Sequence, residues 1–221
     1  MFTWQRPESV ECRVWHTFTS ENPSSGNIEE FAVQDLSKER FEESLKFMLE
    51  NFLSDEPICD LWRNVLQQKL VLACVKKGCN ELIGLNMVCV ITKSDIINLD
   101  VQKSNTWKAV HDFALTKHNL FDHYAFADRI LIAYGLSVSK KYRQRGIATE
   151  ILRARIPLCK ALQIPLTSTV FTAIGSQKPA EKIVFQVDYE VSYENLRQQF
   201  KEFTFDNLGT NSLKVMSLVI E

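Results

Sequence analysis

Arg143, Gln144, Arg145 and Gly146 stand between an unbroken apolar run at residues 130–138 and a helical pattern that begins at Ile147. Gly146 lets the backbone approach a ligand with no side chain in the way. The amides that follow it, at Ile147, Ala148 and Thr149, are the orphan donors of a helix start, at the positive end of the helix dipole. Such a loop suits an anionic group such as a pyrophosphate, and Lys140, Lys141, Arg143 and Arg145 add positive charge. One glycine among basic residues is equally the composition of a plain strand-to-helix turn with a solvated surface, so the loop alone leaves both readings open.

Two other places carry reactive groups. Asp55 and Glu56 precede Pro57, which disfavours helix at Glu56, so the chain should bend there and leave both carboxylates at a helix end. Carboxylates oppose the dipole at that end, so they either mark a solvated helix stop or have another task. Thr172 and Ser176 place hydroxyls between an apolar run at residues 165–171 and a helix through residues 179–185, where Ser176 is also a candidate helix cap and Pro179 is tolerated in the first turn. The six cysteines contain no Cys-x-x-Cys pair, have no regular spacing and form no recognisable catalytic triad; they read as buried thiols of a reducing compartment. His111, His118 and His123 lack metal-ligand spacing, and no metal is implied.

The elements that must position these groups follow from periodicity. Strands are expected at residues 11–18 and 28–33, on either side of a polar loop. A helix follows Ser37, with an apolar stripe of Phe41, Leu45, Met48, Leu49, Phe52 and Leu53. A hairpin joins residues 70–76 to 82–92. A segment at about residues 94–128, with a helical stripe that includes Trp107, Val110 and Phe113, separates it from the strand at 130–138. The helix from Ile147 contains Pro157, so it should kink there or end earlier. With a buried strand on either side, this helix makes a right-handed crossover between parallel strands. Two terminal strands are expected at residues 187–193 and 213–220.

Residues 143–148 resemble the acyl-CoA-binding motif of the GNAT acetyltransferases, an Arg or Gln, two variable residues, Gly, one variable residue, then Gly or Ala, placed directly after a central strand. The resemblance implies an α/β fold whose mixed, mostly antiparallel sheet contains one splayed parallel pair and is flanked by helices. It also implies acetyl-CoA as co-substrate: Arg143, Gln144, Arg145, Gly146, Ile147, Ala148 and Thr149 at the pyrophosphate, and Leu136, Ser137 and Val138 along the pantetheine arm. Gly135 fits the bulge that often interrupts this strand. Residues 52–58 are similar to the Phe-x-x-Asp-Glu-Pro-Leu signature of the insect arylalkylamine N-acetyltransferase branch, with Ile58 in place of Leu, which implies Glu56 as general base. Thr172 and Ser176 resemble that branch's paired serines, and Ser176 also borders the cofactor. Two departures stand out: the usual Gly-Phe ending is Val184 and Phe185, and Ala180 occupies the region where many relatives place a tyrosine acid.

With 221 residues and 45% hydrophobic composition the chain can bury one substantial core. The resemblance divides it into an N-terminal extension, residues 1–27, and an acetyltransferase domain, residues 28–221. Twenty-six basic against 27 acidic side chains leave a net charge of -1, which argues against a general nucleic-acid binder. No apolar stretch approaches the roughly 18 residues of a membrane span, and the first residues lack a signal-peptide pattern, so a cytoplasmic protein is expected. Acetyl transfer to a small arylalkylamine such as dopamine, serotonin, tyramine or tryptamine is the leading expectation. Agmatine, a polyamine or histamine is the rival acceptor. A non-catalytic CoA-binding scaffold is the rival of another class.

Overall fold

A computed structural model of the chain describes residues 2–52, 57–95, 119–199 and 209–221. Among them, eight strands form one sheet: β1 (Val14–Glu21), β2 (Ile28–Asp35), β3 (Leu72–Lys76), β4 (Glu81–Thr92), β5 (Arg129–Val138), β6 (Leu166–Phe171), β7 (Gln186–Ser192) and β8 (Ser212–Val219). Their order is β1-β2-β3-β4-β5-β6-β8-β7, and every neighbouring pair is antiparallel except β5 and β6. This is the mixed, mostly antiparallel α/β architecture expected. The first strand lies three residues later than its periodicity placed it, and it forms one edge of the sheet by pairing with β2.

Helices cover both faces. On one side pack α1 (Phe41–Asn51), α2 (Pro57–Gln67) and the short α3 (Leu120–His123). Leu45, Met48, Trp62, Val65 and Leu66 bury there against Leu85, Met87, Cys89, Ile130 and Ile132. On the other side lie α4 (Ile147–Arg153) and α5 (Arg155–Leu162), whose Ile147, Ile151 and Leu158 pack on Ile83, Val88, Val90 and Leu131. The alternation of β4 side chains between these two cores is the period-2 pattern of a strand buried on both faces. Beside α4, helix α6 (Ile174–Lys182) joins a third cluster through Ala180, with Leu152, Phe171 and Phe185. A last helix, α7 (Tyr193–Gln199), follows β7.

Several local expectations are met and others corrected. The crossover helix breaks at Ala154, because Pro157 has no N–H for the Arg153 carbonyl and its ring crowds that carbonyl. Helix α6 begins at Ile174, earlier than expected, so Pro179 is interior and Ser176 lies within the first turn instead of capping it. Helix α2 was not legible as an element, although Pro57 occupies its first position, where the missing N–H costs nothing. Cys74, Cys89 and Cys159 are buried, whereas Cys12 and Cys79 are exposed, and the six form no disulfide.

Candidate active site

The loop after β5 has the geometry of an anion cradle. A 3-10 turn at Lys140–Tyr142 leads into Gln144 and Gly146, both left-handed, with φ of 63° and 76°. Gly146 is the N-cap of α4, and its carbonyl accepts the Thr149 and Glu150 amides. Among the described residues, the amides of Gln144, Arg145, Gly146, Ile147 and Ala148 donate to no protein acceptor. A Cβ on Gly146 would meet nothing within 4 Å, so the backbone faces open space. These amides converge at the positive end of a helix dipole, the arrangement that holds phosphate groups. The Thr149 amide is already engaged by the helix, and its side chain is buried.

The arginines of the loop act differently from the solvated charge that sequence composition implies. Arg143 Nε donates to the Val138 carbonyl at 3.0 Å and its Nη2 to the Asn51 carbonyl at 3.0 Å, tying the loop to the ends of β5 and α1. The Arg145 side chain is 3% exposed and pairs with Glu29 at 2.6 Å. Its Nη2 donates to the Ser20 carbonyl, while Ser20 Oγ donates back to the Arg145 carbonyl at 3.1 Å. The rings of Phe31 and Tyr142 lie 5.2 Å from its guanidinium. Lys141 pairs with Glu81, which also accepts from the Tyr142 hydroxyl at 2.9 Å. The positive charge therefore shapes the loop, and the backbone is left to meet a ligand.

One edge of Leu136, Ser137 and Val138 pairs with Asn86, Leu85 and Gly84 of β4. Their other edge is not paired with β6, because β5 and β6 pair in parallel only at Leu131 and Thr167, near the start of both strands. Toward their C-terminal ends the strands diverge, which is where open α/β sheets bind ligands. The β4 register shifts between Asn86 and Val88, opposite Tyr134 and Gly135, so the expected bulge at Gly135 is present. Gly135 has φ of 143°, and a Cβ there would come within 2.7 Å of Met48 Cε. Both carbonyls of the bulge find side-chain donors: Trp62 Nε1 reaches that of Tyr134 and Asn86 Nδ2 that of Gly135, each at 2.8 Å. Ser137 Oγ is buried without a hydrogen-bond partner among the described residues.

The hydroxyl pair lies beyond β6. Ser176 Oγ donates to the Ala173 carbonyl at 2.9 Å. The Thr172 carbonyl accepts from the Tyr193 hydroxyl. Gln177, 1% exposed, donates to the carbonyls of Phe171 at 3.0 Å and Ser212 at 2.8 Å, clamping this turn to β8. Glu56 and Asp55 lie outside the described residues, as do His111, His118, Trp107, Val110 and Phe113. His123 packs edge-on against Tyr124, with ring centroids 4.6 Å apart. Among the described residues no group of His, Cys, Asp or Glu is placed to hold a metal, and no helix is long and apolar enough to cross a membrane. Trp62, Asn86, Gln177 and Tyr193 support the site without having been singled out from sequence. The stripe of Leu61, Trp62, Val65 and Leu66 after Pro57 is the signal that would have revealed α2.

A splayed parallel pair, a bulged central strand and an amide-lined loop at a helix start together define the GNAT acyltransferase fold. A protein assigned by name as arylalkylamine N-acetyltransferase 7 of the yellow fever mosquito Aedes aegypti is 35% identical and superimposes with a TM-score of 0.90, over 99% of this chain and 100% of that one. The chain therefore belongs to the arylalkylamine N-acetyltransferase-like branch of the GNAT superfamily, and it is an acyltransferase. More distant structures share the fold. Arylalkylamine N-acetyltransferase 2 of Aedes aegypti is 17% identical with a TM-score of 0.74, over 86% of this chain and 99% of that one. The Drosophila melanogaster polyamine N-acetyltransferase, described as forming N-acetylagmatine, is 11% identical with a TM-score of 0.62, over 86% of this chain and all of that one. No protein-family model matches the chain, and comparison with curated proteins finds no match.

Proposed function

We propose that the chain transfers the acetyl group of acetyl-CoA to the primary amine of a small arylalkylamine, of the dopamine, serotonin, tyramine or tryptamine type, by direct attack in a ternary complex. The observation that carries this reading is the run of free amides from Gln144 to Ala148 around left-handed Gly146, at the end of a strand whose far edge is open. Branch membership supports the acceptor class.

In this mechanism the pyrophosphate rests on the loop amides, and the pantetheine arm lies along Leu136, Ser137 and Val138, where backbone donors also stabilise the tetrahedral oxyanion. An alkylammonium with a pKa of about 10.4 must lose a proton before it attacks, which costs roughly 4 to 5 kcal/mol at pH 7. Glu56, directly or through water, accepts that proton. Positioned base catalysis contributes about 10²- to 10⁴-fold. Ser176, whose hydroxyl can rotate away from the Ala173 carbonyl, donates to the departing thiolate, and Thr172 supplies a second hydroxyl in the same turn. With a leaving-group pKa comparable to that of cysteine, about 8.5, a weak acid suffices.

Two variants separate the roles. Gly146→Glu should abolish acetyl-CoA binding, measured by calorimetry, in a folded protein, and unchanged binding would defeat the pyrophosphate assignment. Glu56→Ala should bind acetyl-CoA normally and lose turnover at neutral pH; a wild-type rate would remove Glu56 from the mechanism.

A further inference from the structure

Arg155, the first residue of α5, is fully buried between the diverging strands. Its Nη2 donates to the carbonyls of Leu131 on β5 and Ser168 on β6, each at 3.1 Å, and its Nη1 donates to Thr169 Oγ1 at 2.8 Å. The Leu131 carbonyl also accepts from Thr167 Oγ1 at 2.9 Å. Leu131 and Thr167 form the single parallel rung. Immediately beyond it on β6, the Ser168 carbonyl is taken by the guanidinium, which also reaches back to the Leu131 carbonyl of the rung itself. Among the described residues no carboxylate pairs with the guanidinium and its Nε has no hydrogen-bond partner, while the apolar Phe185 ring lies 5.8 Å away. Burial lowers its pKa to about 10, so it is charged at neutral pH.

A buried cation without a counter-ion is a costly way to join two strands, since an apolar side chain of similar volume is often as stable or more so. Stability alone therefore does not account for it. What a guanidinium does that an apolar group does not is bridge two carbonyls at a fixed separation, because its donors form a rigid fork. The break at Ala154, dictated by Pro157, makes Arg155 the start of a new helix at this level of the sheet.

We propose that Arg155 is a positioning residue for acetyl-CoA: it ends the β5–β6 ladder after one rung and so fixes the width of the cleft that receives the pantetheine arm. The proposal rests on the acetyl-CoA reading of the site. Without the fork, the strands are free to close toward a second rung, and the open edge of Leu136 to Val138 is lost to the cofactor.

The test compares wild type with Arg155→Met and Arg155→Lys by calorimetric acetyl-CoA binding, by KM for acetyl-CoA and for tyramine, and by thermal denaturation. Small misplacements of a bound substrate cost up to about 10²-fold, so Arg155→Met should weaken acetyl-CoA binding about tenfold or more, with the tyramine KM within about twofold of wild type. Arg155→Lys, which keeps several donors, should recover part of the loss. A merely structural arginine would lower the melting temperature and leave the acetyl-CoA affinity of the folded protein within twofold of wild type, and that result overturns the proposal. If Arg155→Met does not fold, Thr169→Val decides in the same assay: affinity about threefold weaker supports the wedge, and unchanged affinity overturns it. A wild-type protein that does not bind acetyl-CoA at all contradicts the functional reading instead.

Discussion

The indole of Trp62 donates a 2.8 Å hydrogen bond to the carbonyl of Tyr134, the residue that precedes the bulge glycine of β5. Trp62 is fully buried. A bulge leaves backbone groups outside the ladder, and a buried carbonyl left unpaired costs about 1 to 3 kcal/mol. Helix α2 thus supplies the donor that makes the bulge tolerable in the middle of the core.

Trp62→Phe tests this directly. The ring keeps most of the packing but removes the donor, so unfolding free energy from urea titration should fall by about 1 to 3 kcal/mol, with a raised KM for acetyl-CoA. Unchanged stability would mean that the bulge does not depend on the indole.

Gly135→Ala attacks the same feature from the backbone. At φ of 143° an alanine is strained, and its Cβ would also press on Met48 of α1. Holding a residue in such a conformation costs about 1 to 3 kcal/mol. Thermal denaturation should show that loss, and acetyl-CoA affinity should fall with it. A variant of wild-type stability would place the bulge outside the constraints of the fold.

Glu29 predicts an acid limb of stability. Lys76, the larger influence, at 2.7 Å, and Arg145 hold its carboxyl at about 2, below the ordinary 4.5. Because the folded pKa is depressed, the stabilisation is fully present above the ordinary carboxylate range and is lost as pH falls from about 4.5 toward 2. Urea midpoints of Glu29→Gln should therefore lie below wild type at neutral pH and converge on it at low pH. Parallel curves for the two proteins would contradict the pairing.

Val184 occupies the position where the resemblance places a glycine, and the backbone has not changed to suit it: φ is 61°, with the side chain 65% exposed. A β-branched residue in the left-handed region costs about 1 to 2 kcal/mol, and little burial offsets it here. Val184→Gly should raise stability by about 1 kcal/mol, allowing for the extra freedom of glycine in the unfolded chain. A lower melting temperature would show that the valine is stabilised by contacts that outweigh its strain.

What the sequence made legible was local. The strand, loop and helix around Gly146 and the helix break before Pro157 each follow from short-range steric rules or periodicity, and the bulge at Gly135 from the family resemblance. The support of the site depends on partners far apart in the chain. Trp62 and Tyr134 are separated by 72 residues, and Arg145 reaches Ser20 across 125. Composition cannot tell a solvated arginine from one buried against a distant carboxylate, so Arg145 read as ligand-binding charge whereas its side chain holds the loop in place. Arg155 carries no signal of its own in the sequence, and its contacts with Leu131 and Ser168 exist only in the folded chain.

Acetyl transfer to an aromatic amine is tested most directly by release of CoA thiol from acetyl-CoA across tyramine, dopamine, serotonin, tryptamine, histamine, agmatine and spermidine. Turnover confined to the arylalkylamines, abolished by Gly146→Glu, is the predicted result. Turnover of agmatine or spermidine in their place would contradict the acceptor class. Acetyl-CoA binding with no thiol release for any of these amines would contradict the proposed reaction.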